Sequence, residues 1–237
     1  MDLKQFDAVL FDLDGVLTPT ADVHMRAWSR MFSRYFTEHG IEPAYTDEDY
    51  FAHVDGKPRY DGVRSALASR GVVLPDGDPT DPPGAETVCG LGNTKNSAFN
   101  EVLLEDGVEP YPGSVALLDL LEAHGTAVAV VSSSRNAVPV LEAAGLADRF
   151  VVVVDGLVAI DRGLAGKPSA ETYLYAAREL GVPAARAVVV EDAVSGVAAG
   201  RAGDFGLVLG VDRGAGEQTL LEAGADVVVK DLGELVP

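Results

Sequence analysis

Two aspartates separated by one residue, Asp12 and Asp14, follow the apolar run Ala8–Phe11 and precede Gly15. The apolar run predicts a buried strand, and the glycine predicts a turn directly after it. Both carboxylates can therefore face one site where the chain leaves the strand. One carboxylate could attack a phosphorus centre while the other carries a proton to and from the reacting oxygens. A bare pair of aspartates is also typical of a turn or a cap, so further evidence is needed.

A polar cluster also follows the apolar run 127–131, which predicts a second strand. Hydroxyls, backbone N–H groups at a helix start and a cation together suit a phosphate ion. Serines that cap a helix are the alternative interpretation. The cluster consists of Ser132, Ser133, Ser134, Arg135 and Asn136.

Glu191 and Asp192 come directly after a third apolar run, 187–190. With Asp12 and the backbone carbonyl of Asp14, these acids could complete an oxygen site for Mg²⁺. Capping of the next helix is the alternative. Lys167, in Gly-Lys-Pro ahead of a predicted helix, could balance the charges of nucleophile, metal and phosphate. An isolated surface lysine is more often only solvated.

The elements that would position these residues alternate along the second half of the chain. Val-rich strands at 127–131, 151–154, 187–190, 206–211 and 226–229 alternate with helices, including 169–180 and 193–202. Near-continuous apolar strands separated by helices predict an α/β protein whose parallel sheet is covered on both faces. The carboxyl ends of such strands are where ligands bind, so the three polar clusters are expected to meet there.

Residues 21–107 do not follow that alternation. Helices are predicted at 23–36, 59–69 and 95–104, and the Pro- and Asp-rich segment 74–84 predicts an exposed loop. We therefore expect a helical cap domain, 21–107, inserted after the first strand of a core formed by 1–20 and 108–237. Hinges are expected near 18–20 and 108–110.

The composition limits the function classes. The 237 residues carry 37 acidic and 18 basic side chains, a net charge of −19. Such a surface repels nucleic acid and anionic lipid, so neither is expected as a partner. One cysteine, Cys89, and no apolar run of membrane-spanning length predict a cytoplasmic protein, and we also expect a monomer. The few cations must then be concentrated where a phosphate binds.

The clusters together resemble the four motifs of the haloacid dehalogenase superfamily. The resemblance covers nearly the whole chain and implies a Rossmann-like core, an aspartyl-phosphate intermediate and Mg²⁺. By the same resemblance Asp12 is the nucleophile, Asp14 the general acid/base, Ser132 and Lys167 phosphate ligands, and Glu191 and Asp192 metal-site residues.

Within that superfamily the predicted cap is similar to that of the β-phosphoglucomutases. His24 and Trp28 are four apart on one helix face, so the indole could cover a sugar ring and the imidazole could hold the acid/base. Burial of Trp28 in the cap core is the alternative. Arg59 after Gly-Lys-Pro, and Lys95 with Asn96 at a predicted helix start, resemble residues that bind the second phosphate.

Three features depart from that pattern, namely Pro19 at the first hinge, a long loop over 74–90 and Arg135 in place of lysine. A planar guanidinium holds a phosphate differently from a point charge. The expected activity is interconversion of β-glucose 1-phosphate and glucose 6-phosphate through a glucose bisphosphate. A phosphatase of a small sugar phosphate is the alternative enzyme, and a non-catalytic phosphate- or metal-binding regulatory domain is the alternative from another class.

Overall fold

The computed structural model describes residues 3–237, except for the side chains of residues 4, 21, 104 and 106. The chain divides into two compact units. We call the described part of Met1–Pro19 together with Val108–Pro237 the sheet unit, and Thr20–Gly107 the helical unit. None of the helices in residues 3–237 combines the length and the hydropathy that a bilayer-spanning segment needs.

The sheet unit is built on six parallel strands within the described residues. These strands are β1 Ala8–Phe11, β2 Ala127–Val131, β3 Val152–Val154, β4 Ala187–Glu191, β5 Leu207–Val211 and β6 Val227–Val229. Buried β-branched and aliphatic residues fill them because helices cover both faces. This confirms the predicted α/β class with a parallel sheet. Across the sheet the strands lie in the order β3-β2-β1-β4-β5-β6.

The helices of the sheet unit connect these strands. Helix α8, which spans Glu171–Glu179, packs on β1, β2 and β3, while α9, which spans Val194–Ala202, packs on β4 and β5. Leu10 of β1 faces the α8 side with Tyr173, and Phe11 packs edge-on against Phe150 with ring centroids 6.5 Å apart. These helices are α5 Pro112–His124, α6 Ala137–Ala143, α7 Gly156–Arg162, α8 Glu171–Glu179, α9 Val194–Ala202 and α10 Glu217–Ala223.

The helical unit contains helices and, within its described residues, no strand. Its helices are α1 Thr20–His39, α2 Asp47–Asp49, α3 Arg59–Ala68 and α4 Val88–Asp106. The single turn α2 continues into a π-helix over Tyr50–Val54. The aromatic rings of Phe32 and Tyr45 stack in its core at 4.9 Å. The prediction that a helix starts at Lys95 is wrong, because Thr87 caps α4 through the N–H of Gly90.

A half-buried ion pair fastens the loop after α3 to α2. The guanidinium of Arg70 donates from both terminal nitrogens to the carboxylate of Asp49, at 2.6 and 2.5 Å. It also donates to the carbonyls of Pro43 and Ala44 and lies 5.4 Å from the ring centroid of Phe36. The hydrogen bonds from Arg70 lower the pKa of Asp49, so this pair keeps its charges at neutral pH.

Candidate active site

The site lies where the strand order reverses. Strand β1 is flanked by β2 on one side and β4 on the other, with Phe11 paired to Val130 and to Val190. Chain segments that leave the carboxyl ends of two such neighbours diverge and open a crevice between them. Asp12 follows β1 directly, and its N–H donates to the carbonyl of Val190 at 2.9 Å. The carboxyl ends of β1 and β4 therefore hold Asp12 beside Glu191.

Lys167 joins these two carboxylates. Its Nζ contacts Oδ1 of Asp12, lies 2.5 Å from Oε1 of Glu191, and donates to the carbonyl of Val131 at 3.0 Å. All three charged side chains are nearly inaccessible, and Lys167 as a residue is 4% exposed. The lysine therefore contacts both carboxylates at the centre of the crevice rather than bulk solvent.

Burial and crowding disturb the ionisation of this group. Burial raises the pKa of Asp12 well above its ordinary value, and the charges of Glu191 and Asp14 push it the same way against Lys167. Burial lowers the pKa of Lys167, but the charges of Asp12 and Glu191 more than offset this, so its pKa is raised. Lys167 is thus a permanent cation, and it is the group that favours an ionised Asp12.

Tyr173 on α8 adds a second donor to Glu191. Its hydroxyl donates to Oε1 of Glu191 at 2.8 Å, and the Nζ of Lys167 lies 5.1 Å from the centroid of its ring. Burial and the charge of Glu191 raise the pKa of this phenol well above its ordinary value, so the hydroxyl keeps its proton. Oε1 is thereby occupied, while Oε2 accepts from the N–H of Ala193 at 3.3 Å.

Asp12, Glu191 and Asp192 can present one oxygen each within 4.8 Å of one another. Three carboxylate oxygens at this spacing fit a hard divalent cation such as Mg²⁺. Two glycines make room for them. A Cβ on Gly15 would lie 1.9 Å from Oδ2 of Asp192, and one on Gly196 would lie 1.8 Å from Oε1 of Glu191.

Asp14 is half-buried on the turn that follows β1. Gly15 has φ +85°, a conformation that favours glycine, and its N–H donates to the carbonyl of Thr18 at 2.8 Å. The turn is thus tight, and it brings Asp14 close enough to raise the pKa of Asp12 through its charge.

The serine cluster follows β2, next to β1, and leads into α6. The hydroxyl oxygens of Ser132 and Ser134 each accept an N–H two residues further on, at 3.1 Å. Gly156 packs on this loop, and its N–H donates to the carbonyl of Ser134 at 2.9 Å. Ser132 and Asn136 are buried, whereas Ser133, Ser134 and Arg135 are half-buried.

In the helical unit, Lys95 lies within an aromatic cage and is 3% exposed. Its Nζ contacts Nδ1 of His24 and lies 4.8 Å from the ring centroid of Phe99 and 5.2 Å from that of Trp28. The His24 ring stacks on Phe99 at 4.3 Å. An ammonium can donate only to an unprotonated Nδ1, so a neutral His24 carries its proton on Nε2.

Trp28 is 4% exposed and belongs to the apolar core of the helical unit, where it stacks on Phe32. Its burial agrees with the alternative interpretation rather than with an indole that covers a sugar. Arg59 opens α3, and its Nη2 donates to Oδ1 of Asn96 on α4 at 2.7 Å. The predicted cations Arg59 and Lys95 therefore belong to two adjoining side-chain clusters of this unit.

Two residues of the site were missed in the sequence. A tyrosine on the buried face of α8 needs a partner for its hydroxyl, and that requirement could have singled out Tyr173. Gly196, in the first turn of the helix after Glu191, carries no comparable signal, because glycines are frequent throughout this chain.

Fold and site together define a doubly wound α/β enzyme with an acidic, lysine-bridged centre at the switch point of its sheet. Residues 6–204 match the family model described as haloacid dehalogenase-like hydrolase. The chain therefore belongs to the haloacid dehalogenase-like family, as the four motifs indicated.

Within this family, the chain is similar to several proteins named β-phosphoglucomutase. The chain is 49% identical to a protein named β-phosphoglucomutase from Mycobacterium bovis, over 97% of this chain and 91% of the relative. It is 32% identical to the Bacillus subtilis protein of the same name, over 96% and 91%. The crystal structure of a β-phosphoglucomutase from Clostridium difficile has the same fold, with a TM-score of 0.77 at 24% identity over 97% and 93% of the two chains.

Proposed function

We propose that this enzyme converts β-glucose 1-phosphate into glucose 6-phosphate through glucose 1,6-bisphosphate. The chemistry rests on one observation, the buried contact of Lys167 with both Asp12 and Glu191 at the switch point. The substrate is supported by the 49% identity, across almost the whole chain, to a protein named β-phosphoglucomutase.

In the first half-reaction, an oxygen of Asp12 attacks the phosphorus at C1 of the bisphosphate. The bond from phosphorus to the C1 oxygen breaks, Asp14 gives that oxygen its proton, and glucose 6-phosphate leaves. In the second half-reaction, Asp14 removes the proton of the 6-hydroxyl of β-glucose 1-phosphate. This oxygen attacks the phosphorylated Asp12, which regenerates the carboxylate and the bisphosphate.

Asp12, Glu191, Asp192 and the carbonyl of Asp14 are the proposed ligands of Mg²⁺. When bound, the ion would neutralise carboxylate charge and polarise a phosphoryl oxygen. Lys167 favours the ionised form of Asp12 and offers a cation to the incoming phosphate. Ser132 and the following loop offer hydroxyls and N–H groups to the same phosphoryl oxygens.

The helical unit is proposed to act as the cap that selects a sugar hydroxyl over water as acceptor. Arg59 and Lys95, with Asn96, are its proposed ligands for the phosphate that does not react, and Arg135 is a proposed phosphate ligand of the sheet unit. The rings of Phe99 and Trp28 already restrict the Lys95 side chain. Less of its conformational freedom is therefore lost when it binds an anion.

One assay separates the mutase from the phosphatase. The enzyme is given Mg²⁺, β-glucose 1-phosphate and a trace of glucose 1,6-bisphosphate, and glucose 6-phosphate and free phosphate are followed in parallel. We expect isomerisation to outrun phosphate release by far, and none of either when the metal is chelated. Phosphate release faster than isomerisation would identify a phosphatase, and no turnover of any phosphate ester would favour a binding domain.

Arg59→Ala tests the proposed second-phosphate site. Loss of a charge-assisted contact to the distal phosphate should raise KM for the sugar phosphate about 10- to 100-fold. Hydrolysis of a small aryl phosphate, which has no second phosphate, should change little. Arg64→Ala is the matched control, since Arg64 lies on the same helix and pairs with the surface acids Asp61 and Asp76. Equal losses on both substrates contradict the assignment.

A further inference from the structure

The turn after Asp14 is held from outside at three consecutive carbonyl groups. Gly15 accepts from Nε of Arg213 at 2.9 Å, Val16 accepts from the hydroxyl of Ser114 at 2.6 Å, and Leu17 accepts from the N–H of Tyr111 at 2.9 Å. Ser114 and Tyr111 belong to the start of α5, whereas Arg213 follows β5. Two separate parts of the sheet unit thus hold one short turn.

Arg213 is itself held on several sides. Its Nη1 donates to the carbonyl of Lys230 at 3.1 Å, its Nη2 lies 3.4 Å from the carboxylate of Asp231, and its guanidinium carbon lies 3.8 Å from the ring centroid of Tyr111. A planar guanidinium stacked on a ring and bonded along both edges has little freedom to rotate. Its Nε–H is therefore a fixed donor aimed at the carbonyl of Gly15.

Gly15 is the point at which such a donor matters most. Glycine has the largest backbone freedom of any residue, and this one directly follows Asp14 at φ +85°. Its N–H is bonded to Thr18 within the turn, and its carbonyl is bonded to Arg213. Both peptide groups of the flexible residue are thereby fixed, and the backbone that carries the Asp14 carboxylate is fixed with them.

We propose that Arg213 is a positioning residue for the acid/base group Asp14, acting through the carbonyl of Gly15. This inference rests on the proposed role of Asp14 in proton transfer. A general acid contributes about 10²- to 10⁴-fold only when it lies within hydrogen-bond reach of the leaving oxygen. A turn that is free to rotate at Gly15 would forfeit part of that factor without touching Asp12 or Lys167.

The test compares two phosphate esters that differ in their need for a proton. Single-turnover phosphorylation of Asp12 is measured with a sugar phosphate, whose alkoxide leaving group must be protonated, and with p-nitrophenyl phosphate, whose leaving group need not be. We expect Arg213→Gln to slow the sugar phosphate about 10-fold or more and the aryl phosphate less than about 2-fold. Arg213→Lys should behave like the glutamine variant, because an ammonium cannot bond along two edges.

A double-mutant cycle completes the test. In the Asp14→Asn background, Arg213→Gln should cause no further loss with the sugar phosphate. Arg201→Gln is the matched control, since Arg201 likewise ties a loop of this unit, through the carbonyl of Gly224, without contacting the turn. Equal losses on both esters, or additive losses with Asp14→Asn, would overturn the inference. Failure of the proposed function itself would be distinct, because the wild type would then form no phosphorylated Asp12 from either ester.

Discussion

Asp12→Asn should reduce phosphoryl transfer to every acceptor by at least about 10⁴-fold, since the amide cannot form the covalent intermediate. The substitution keeps the shape of the side chain and removes only its charge and nucleophilicity. Rapid-quench mass spectrometry after a pulse of glucose 1,6-bisphosphate should detect one added phosphoryl group on the wild type and none on the variant. Full activity in the variant would exclude the covalent mechanism.

The same variant should be at least as stable as the wild type when no metal is present. Because burial raises the pKa of Asp12 from its ordinary value of 3.8, the folded state holds that proton more tightly than the unfolded chain does. The stability that this raised pKa contributes is complete below pH 3.8 and is lost as the pH rises from 3.8 through the raised pKa of folded Asp12, because ionising the buried carboxyl is costly. Asparagine removes that cost, so thermal unfolding without metal should show no decrease in Tm.

Asp7→Asn is the matched control for both measurements. Asp7 directly precedes β1 and pairs with Arg186 at the surface, at 2.6 Å. Exposed pairs of this kind contribute little to stability, because solvent screens their charges. This variant should keep its activity and show a slightly lower Tm, the opposite of the pattern expected for Asp12→Asn. A large loss of Tm in Asp12→Asn would show that the carboxylate stabilises the fold.

The sheet and its site could be predicted because they depend on short-range patterns. Runs of buried Val, Leu and Ala indicate strands covered on both faces, and the polar residue after each run marks its carboxyl end. The strand register then determines which polar residues meet, since pairing of Phe11 with Val190 places Asp12 beside Glu191. Residues 155 positions apart, such as Asp12 and Lys167, meet for this topological reason.

The errors arose where tertiary packing outweighs local pattern. Helix α4 begins at Val88, before the predicted start, because a threonine cap and buried apolar side chains such as Leu91 extend it through Gly90 and Gly92. A glycine-rich stretch has poor intrinsic helix propensity, so its helical state depends on packing against α1. Trp28 and His24 share a helix face as predicted, but the spacing could not reveal that His24 stacks on Phe99 of α4 while Trp28 stacks on Phe32 of its own helix.

The net charge of −19 and the binding of an anion are compatible because the cations are local and protected. Lys167 and Lys95 are both buried, one between two carboxylates and the other among aromatic rings. Neither is available to neutralise the acidic surface. The prediction from composition that extended anionic partners do not bind is therefore compatible with a small phosphate as ligand, and only the structure reveals which cations are withdrawn from solvent.

Gly196→Ala should weaken metal binding at the proposed site without changing any ligand. A Cβ at this position would lie 1.8 Å from Oε1 and 1.9 Å from Cδ of Glu191. Glu191 has no empty space beside it, because it is 1% exposed and its carboxylate is already bonded to Tyr173 and Lys167. A Cβ on residue 196 would therefore force the carboxylate to give up these contacts and to rotate away from Asp12 and Asp192. We expect the affinity for Mg²⁺, measured by titration calorimetry, to fall by about 10- to 100-fold or more.

Gly200→Ala separates this effect from a change in the helix itself. Gly200 lies on the same helix, α9, and a Cβ there would lie 3.1 Å from methyl groups of Val189 and Val208. Both substitutions improve helix propensity by about 1 kcal/mol, so neither should unwind α9. Gly200→Ala should keep its metal affinity even if the strained packing lowers its Tm. If Gly196→Ala binds Mg²⁺ as tightly as the wild type, Glu191 does not ligate the ion. The metal site would then have to be completed by Asp12, Asp192 and the carbonyl of Asp14.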